Sequence, residues 1–349
     1  MKKITSNGRI AGIASCVPKF RYKNINYPYQ SKDKVKKFID LTGIKERRIV
    51  NDSKICASDL AYKATKKILS DLNWKNKDIE FLIFITQTPD YLTPASSIIL
   101  QDRLNLNKNL FALDINLGCS GFPYGISTAF SLIDYMHFKK GILIIGDVSS
   151  RLCNIKDSSW LLFGDGCSAI AFERQQKKQI NYFDYLSDGS GFKDIIVPTH
   201  SLSGRNKISS KDFYELKVND NIKNNLNMSL NGPNIFSFAT TVMPDRIKFF
   251  LKYSKINKKK IKYCLLHQAN SLINQTIKDK LLLKNTLYPG SLELFGNTSS
   301  SSIPISIVNE FGGKKISGTA LLSGFGVGLS ASSLLYKFKN CKISKFIFY

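Results

Sequence analysis

The chain has 349 residues, enough for one large domain or two ordinary ones, and 43% of them are hydrophobic, which supplies a core and excludes wholesale disorder. Lysine and arginine number 51 against 26 acidic residues, a formal charge of +25 that favours acidic partners. That charge is dispersed, with only short clusters such as Lys258-Lys259-Lys260 and no basic stripe interleaved with aromatics, so nucleic-acid binding is not expected.

No apolar run approaches the ~20 residues of a membrane span. Residues 1–20 lack the sustained apolar stretch of a signal peptide. Seven scattered cysteines without CxxC spacing argue against a disulfide framework or a zinc site, and for a reducing cytoplasm.

Taken in chain order, the elements echo each other across two halves. Asp78-Ile79-Glu80 leads into an apolar strand, Phe81–Ile85, and then Thr86-Gln87-Thr88. A second strand over 111–116 runs into the small-residue elbow Leu117-Gly118-Cys119-Ser120-Gly121, followed by apolar residues at helical spacing. A third covers 141–146. The polar run RQQKKQ at 174–179 breaks the pattern and places a boundary there, giving halves at 1–174 and 175–349. Residues 201–227, a second mainly polar stretch, read as an irregular insertion or lid. Then Lys260-Ile261-Lys262 leads into a strand over 263–266 and into His267-Gln268-Ala269-Asn270. A second elbow, Phe295-Gly296-Asn297-Thr298-Ser299, and a strand over 318–324 complete the echo. Short continuous apolar strands alternating with helices indicate buried strands of an α/β protein. A duplicated α/β unit facing its copy puts both elbows and the HQAN turn at the seam.

Cys119 is the candidate nucleophile at that seam. A cysteine at a strand-to-helix elbow meets unpaired helix N–H groups and the positive end of the helix dipole, both of which favour the thiolate. His267 ends an apolar strand, whereas His137 closes a helix and His200 sits beside the polar stretch. Asn297, at its own glycine-led elbow, offers an amide that can donate to an oxygen anion. Cysteine, histidine and asparagine at strand ends fit nucleophilic acyl transfer.

Eight segments in order carry a resemblance: TGIKERRI (42–49), TQTPD (86–90), DINLGCSGF (114–122), LFGDGCSA (162–169), NGPNIFSFA (231–239), LLHQAN (265–270), GNTSSSSIP (296–304) and SGFGVG (323–328). Together they resemble ketoacyl-ACP synthase III, over residues 9–339. The resemblance implies a thiolase fold of two duplicated halves in five αβαβα layers, and a homodimer associating through the sheet near 111–116. It implies that Cys119 holds an acyl group taken from a coenzyme A or acyl-carrier-protein thioester. His267 and Asn297 would stabilise the enolate formed when a malonyl-type thioester loses carbon dioxide. Backbone N–H groups of Cys119 and Val327 would form the oxyanion hole, and no metal or redox cofactor is implied. Acyl transfer to an alcohol or amine is the alternative, against which Asn297 speaks, since enolate chemistry uses that donor.

Departures from the family pattern point away from ordinary coenzyme A priming of fatty-acid synthesis, towards a specialised pathway. Where the family has Trp and Arg before the TGI segment, this chain has Lys37 and Leu41; an arginine beyond HQAN is Leu272, and a loop arginine is Asp157. Thr93 stands where short-chain members carry Phe at the end of the partner's acyl pocket, which implies a longer or bulkier acyl group. Residues 341–349 extend past the family's usual end and read as a frayed tail.

Overall fold

A computed structural model describes residues 1–199, 208–218 and 221–349. His200 and part of the expected lid lie outside the described residues. Nine strands form one continuous sheet system: β1 (Lys2–Val17), β2 (Phe81–Ile85), β3 (Phe111–Ile115), β4 (Lys140–Asp147), β5 (Gly166–Ser187), β6 (Ile261–Leu266), β7 (Lys315–Gly326), β8 (Ser330–Ile343) and β9 (Ile347–Phe348). Their order is β6-β7-β8-β1-β5-β4-β2-β3, with β9 beside β1. The helices are α1 (Lys32–Thr42), α2 (Ala57–Asp71), α3 (Ser96–Arg103), α4 (Gly121–Tyr135), α5 (Gly232–Ser237), α6 (Met243–Ser254), α7 (Ser271–Leu281), α8 (Leu292–Phe295) and α9 (Ser302–Phe311).

The echo in the sequence is an echo in pairing. In the first half β4 lies parallel to β2 and antiparallel to β5. In the second β7 lies parallel to β6 and antiparallel to β8. The place of β3 is taken by a single parallel bridge, Tyr263↔Leu287.

Side chains alternate faces along each strand, and this divides the apolar residues into layers. Phe81, Ile83 and Ile85 of β2 and Tyr263 and Leu265 of β6 enter one central core with the apolar faces of α4 and α9. Leu82 and Phe84 turn outward to α2 and α3, and Cys264 and Leu266 turn outward to α6 and α7. The layers therefore run helix, sheet, helix, sheet, helix. All five β2 side chains are fully buried, each contributing roughly 1.5–3 kcal/mol.

Two expectations are corrected, for the insertion and the tail, and the expected boundary falls within a strand. The polar run at 174–179 is a bulged stretch of β5, where Asn7 Nδ2 donates to the carbonyls of Gln175 and Gln176 and the pairing register slips between Ser6 and Gly8. The cut at 174/175 thus falls inside a strand whose first part pairs with β4 and whose end, 182–187, pairs with β8. The expected lid carries structure of its own, including a two-stranded pairing of Leu216–Val218 with Asn221–Lys223. Residues 341–349 are not frayed. Ile347 and Phe348 pair with Cys16 and Val17, the Tyr349 N–H donates to Val17 O at 3.0 Å, and the Lys63 ammonium sits 4.1 Å from the Tyr349 ring centre. Phe346 and Ile347 pack against the core, which the basic composition of the stretch obscured.

Candidate active site

The elbow that carries Cys119 is built by close approach. A side chain at Gly125 would stand 2.7 Å from Ile85 Cδ1 and from Leu143 Cδ2, so only glycine lets α4 lie so near the sheet. On the other side, a side chain at Gly324 of β7 would collide with the Cys119 carbonyl. Cys119 is thereby clamped between the first turn of α4 and β7, and is 8% exposed.

His267 follows the last residue of β6, and its N–H donates to Ser323 O at 2.8 Å, continuing the ladder to β7. Its Nδ1 lies 2.7 Å from Ser302 Oγ, and that same oxygen accepts the Gln268 N–H at 3.3 Å. Where the Ser302 hydroxyl donates to Nδ1, the proton of the neutral ring sits on Nε2. The ring stands edge-on to Phe325 at 5.5 Å.

Asn297 is held through its backbone, whose N–H donates to Leu162 O at 2.9 Å and whose carbonyl accepts the Gly164 N–H at 3.0 Å. Its Oδ1 accepts the Ser299 N–H at 2.9 Å. The amide orientation follows: Nδ2 has no acceptor among the described residues and is left to face the cavity that Asn297 lines. Behind the elbow lies Arg47, fully buried, donating to Asn24 Oδ1 at 2.8 Å and to the carbonyls of Trp160 and Phe163 at 2.6 and 2.7 Å. Phe163 in turn bridges to Asn297.

Cys119, His267, Asn297 and Val327 all line one cavity of about 200 Å³, which also takes in apolar residues of the 228–239 segment and Phe325. The N–H groups expected to favour the thiolate do act that way, but burial outweighs them. Burial pushes the Cys119 thiol up to about 12, with Asp147 acting the same way, against the backbone N–H groups of Cys119 and Val327 and the Ser299 hydroxyl. Burial also pushes His267 down to about 3, against a hydrogen bond to the Ser299 backbone. The pair is a neutral thiol and a neutral imidazole.

The sequence reading missed Ser299 and Ser302. Ser299 contacts the sulfur, the imidazole and the Asn297 amide, and adopts a left-handed backbone with φ of 50°. Nothing in a run of four serines distinguishes one hydroxyl from the next. The unusual φ that marks Ser299 is a property of the folded backbone. Thr93 lies elsewhere: it is exposed, does not line the cavity of its own chain, and is flanked by Tyr91 and Leu92, each 63% exposed. Leu41 and Leu272 are exposed on α1 and α7. Asp157 is buried and accepts the Ser159 N–H at 2.7 Å, so its carboxylate caps a turn.

Among the described residues no group of three or more His, Cys, Asp or Glu side chains is placed to hold a metal, and no helix is long and apolar enough to cross a membrane. All seven cysteines are free thiols.

The duplicated halves, the five layers and the cysteine elbow define a thiolase-fold enzyme. Two family models, for 3-oxoacyl-[acyl-carrier-protein] synthase III and for its C-terminal region, match residues 113–189 and 251–338. A beta-ketoacyl-[acyl-carrier-protein] synthase III of Clostridium perfringens is 35% identical over 85% of this chain and 88% of its own length. One from Halalkalibacterium halodurans is 30% identical over 95% and 97%. The crystal structure of a 3-oxoacyl-(acyl-carrier protein) synthase from Burkholderia xenovorans superposes with a TM-score of 0.91 at 30% identity, covering 100% of this chain and 99% of that one. The chain belongs to the 3-oxoacyl-[acyl-carrier-protein] synthase III family and is an acyltransferase of the condensing type.

Proposed function

We propose that the enzyme forms an acyl thioester on Cys119 and condenses it with a malonyl-type thioester to give a β-ketoacyl product. The observation that carries this reading is the convergence of Cys119, His267 and Asn297 on one cavity, with the Asn297 Nδ2 left without a protein acceptor. In the first step the Cys119 sulfur bonds to the acyl carbon of a coenzyme A or carrier-protein thioester. The carrier C–S bond breaks, and the carrier thiol leaves with the proton Cys119 gives up. Charge on the tetrahedral oxygen is met by the N–H groups of Cys119 and Val327, both of which reach the sulfur's surroundings. Losing one such donor typically costs about 2.7–4 kcal/mol of barrier.

In the second step the carbonyl of the malonyl-type thioester accepts from the His267 imidazole N–H and Asn297 Nδ2–H. Its carboxylate leaves as carbon dioxide, and the enolate carbon bonds to the acyl carbon. The bond to Cys119 breaks and the thiolate takes a proton from water. These residues need no metal or redox cofactor for either step. The neutral state of His267 suits a donor that must not hold a competing charge. We read the enzyme as a cytoplasmic homodimer. In support, β3 is an edge strand whose Phe111 and Leu113 are each 37% exposed, next to the exposed Tyr91, Leu92 and Ile98. In such a dimer Thr93 would face the partner's acyl pocket.

The test is intact-mass measurement after incubation with a panel of acyl-CoA and acyl-carrier thioesters, in wild type and Cys119→Ala. Wild type gains one acyl mass and the variant none; an adduct on Cys119→Ala places the nucleophile elsewhere. Light scattering at micromolar concentration checks the dimer.

A further inference from the structure

The cavity beside Cys119 is apolar over most of its wall, with Phe163, Ile195, Met228, Phe236 and Leu329 among its lining. One corner differs. β2 and β4 are parallel neighbours that pair Ile85 with Ile145, and the loops leaving their adjacent ends bring Gln87 and Ser149 to the cavity wall beside Asp147. Asp147 is already occupied. Its Oδ1 accepts the Thr86 hydroxyl at 3.0 Å, the Gln87 N–H at 2.6 Å and the Thr88 hydroxyl at 3.4 Å, and its Oδ2 accepts the Ser300 hydroxyl at 3.0 Å. Among the described residues the Gln87 side-chain amide and the Ser149 hydroxyl make no hydrogen bond, although Ser149 is only 2% exposed. Gln87 Oε1 lies against Gly118, the residue before Cys119, so close that any side chain at 118 would collide with it.

Two polar groups without protein partners therefore share the cavity wall with Cys119, one of them against the residue before it. We infer that this corner reads a hydrogen-bonding substituent on the acyl group: the primer carries a hydroxyl or oxo group a few carbons from its thioester carbonyl. This deepens the acyl-enzyme reading of Cys119 and rests on it. A plain alkyl chain laid against the corner strips water from an amide and a hydroxyl and gives them nothing in return. A substituent hydroxyl accepts from Gln87 Nε2 or Ser149 Oγ and donates to Gln87 Oε1. Sites built to bond a substrate hydroxyl reject the analogue that lacks it far more strongly than apolar sites reject a missing methylene.

The experiment is a competition read by intact mass on the full chain. Butyryl is offered against 3-hydroxybutyryl, and octanoyl against 3-hydroxyoctanoyl, each as its coenzyme A and its pantetheine thioester. The hydroxyacyl adduct on Cys119 is expected to form faster by about tenfold in at least one chain length, the discrimination that one unpaired buried polar group supports. The near-isosteric Gln87→Met and the small Ser149→Ala each bring the ratio towards one. Unsubstituted chains loading as fast or faster at both lengths overturn the inference, as does a preference that survives in both variants. If no thioester of either kind loads Cys119, it is the acyl-enzyme reading that fails, an outcome distinct from loading without preference.

Discussion

His267 gives the site a measurable acid sensitivity. The residue is 1% exposed, and burial pushes its imidazole from 6.5 to about 3. In the unfolded chain the same ring titrates near its ordinary value. Between the two values the unfolded chain holds a proton that the native protein refuses. The unfolded state therefore gains on acidification, and the stability this group contributes is complete above 6.5 and lost as the pH falls towards 3. Each pH unit in that window costs about 1.4 kcal/mol, so acidifying from the top of it to about pH 4.5 should remove roughly 2.7 kcal/mol through this one side chain. The perturbation is His267→Gln, which keeps a polar side chain of similar reach beside Ser302 and cannot titrate. Urea unfolding, followed by fluorescence of Trp74 and Trp160 at about pH 7 and about pH 4.5, gives the stability of both proteins. Carboxylates with depressed values, such as Asp212, are present in both and cancel in the difference. Wild type should lose roughly 2.7 kcal/mol more than the variant on acidification. Equal losses would refute the reasoning, because they would mean the native imidazole takes its proton as readily as the unfolded one.

The remaining predictions concern the surroundings of that ring. Asn297→Ala should slow carbon dioxide release from a malonyl thioester by about 10²–10³-fold while leaving acylation of Cys119 much less affected; equal slowing of both half-reactions would count against its assignment to the enolate. Arg47→Met should destabilise the protein by roughly 1–3 kcal/mol for each acceptor left unpaired, since it strands the Asn24 amide oxygen and the Trp160 and Phe163 carbonyls that the guanidinium now satisfies. An unfolding midpoint within error of wild type would show that those groups find other partners. Thr93→Phe should shift competition between octanoyl and acetyl thioesters towards acetyl, each buried methylene contributing about 0.8 kcal/mol; an unchanged ratio would show that residue 93 does not gate the pocket.

Much of this architecture could be read before any coordinates, and for a physical reason. β2 and residues 263–266 of β6 are buried on both faces, so these residues had to be continuously apolar, and continuous apolar runs at matching offsets announce a duplicated α/β unit. Cys119 and Asn297 were legible because glycine marks each elbow, and His267 because a lone imidazole ends a buried strand. What stayed hidden depends on contacts across the fold. Polar residues at 174–179 break the apolar pattern, yet Arg174 and Gln179 pair with Gly8 and Ser6 of β1 and keep the run within β5. The 341–349 segment looks like loose sequence, yet Ile347 and Phe348 complete a strand. The balance at Cys119 could not be weighed from sequence, which displays the helix end that favours a thiolate and conceals the burial that opposes it more strongly.

That balance bears on how such a site works. The polar framework around the sulfur is made of backbone groups and hydroxyls: Ser299 on the thiol, Ser302 on the imidazole, and the N–H groups of Cys119 and Val327. Asp147, the buried carboxylate nearby, is bonded to four donors from neighbouring loops, and it disfavours negative charge on the sulfur. A site built this way gains little by storing a thiolate at rest. Its donors do most when charge appears on a substrate oxygen between them, because fixed dipoles in a water-poor cavity need no reorganisation at that moment. On the proposed chemistry, the proton leaves Cys119 only as the acyl carbon is attacked, and the donors that fail to ionise the free thiol are aimed instead at the oxyanion and the enolate. Neutral partners then serve both half-reactions, since neither a cationic imidazole nor a standing thiolate has to be discharged between them.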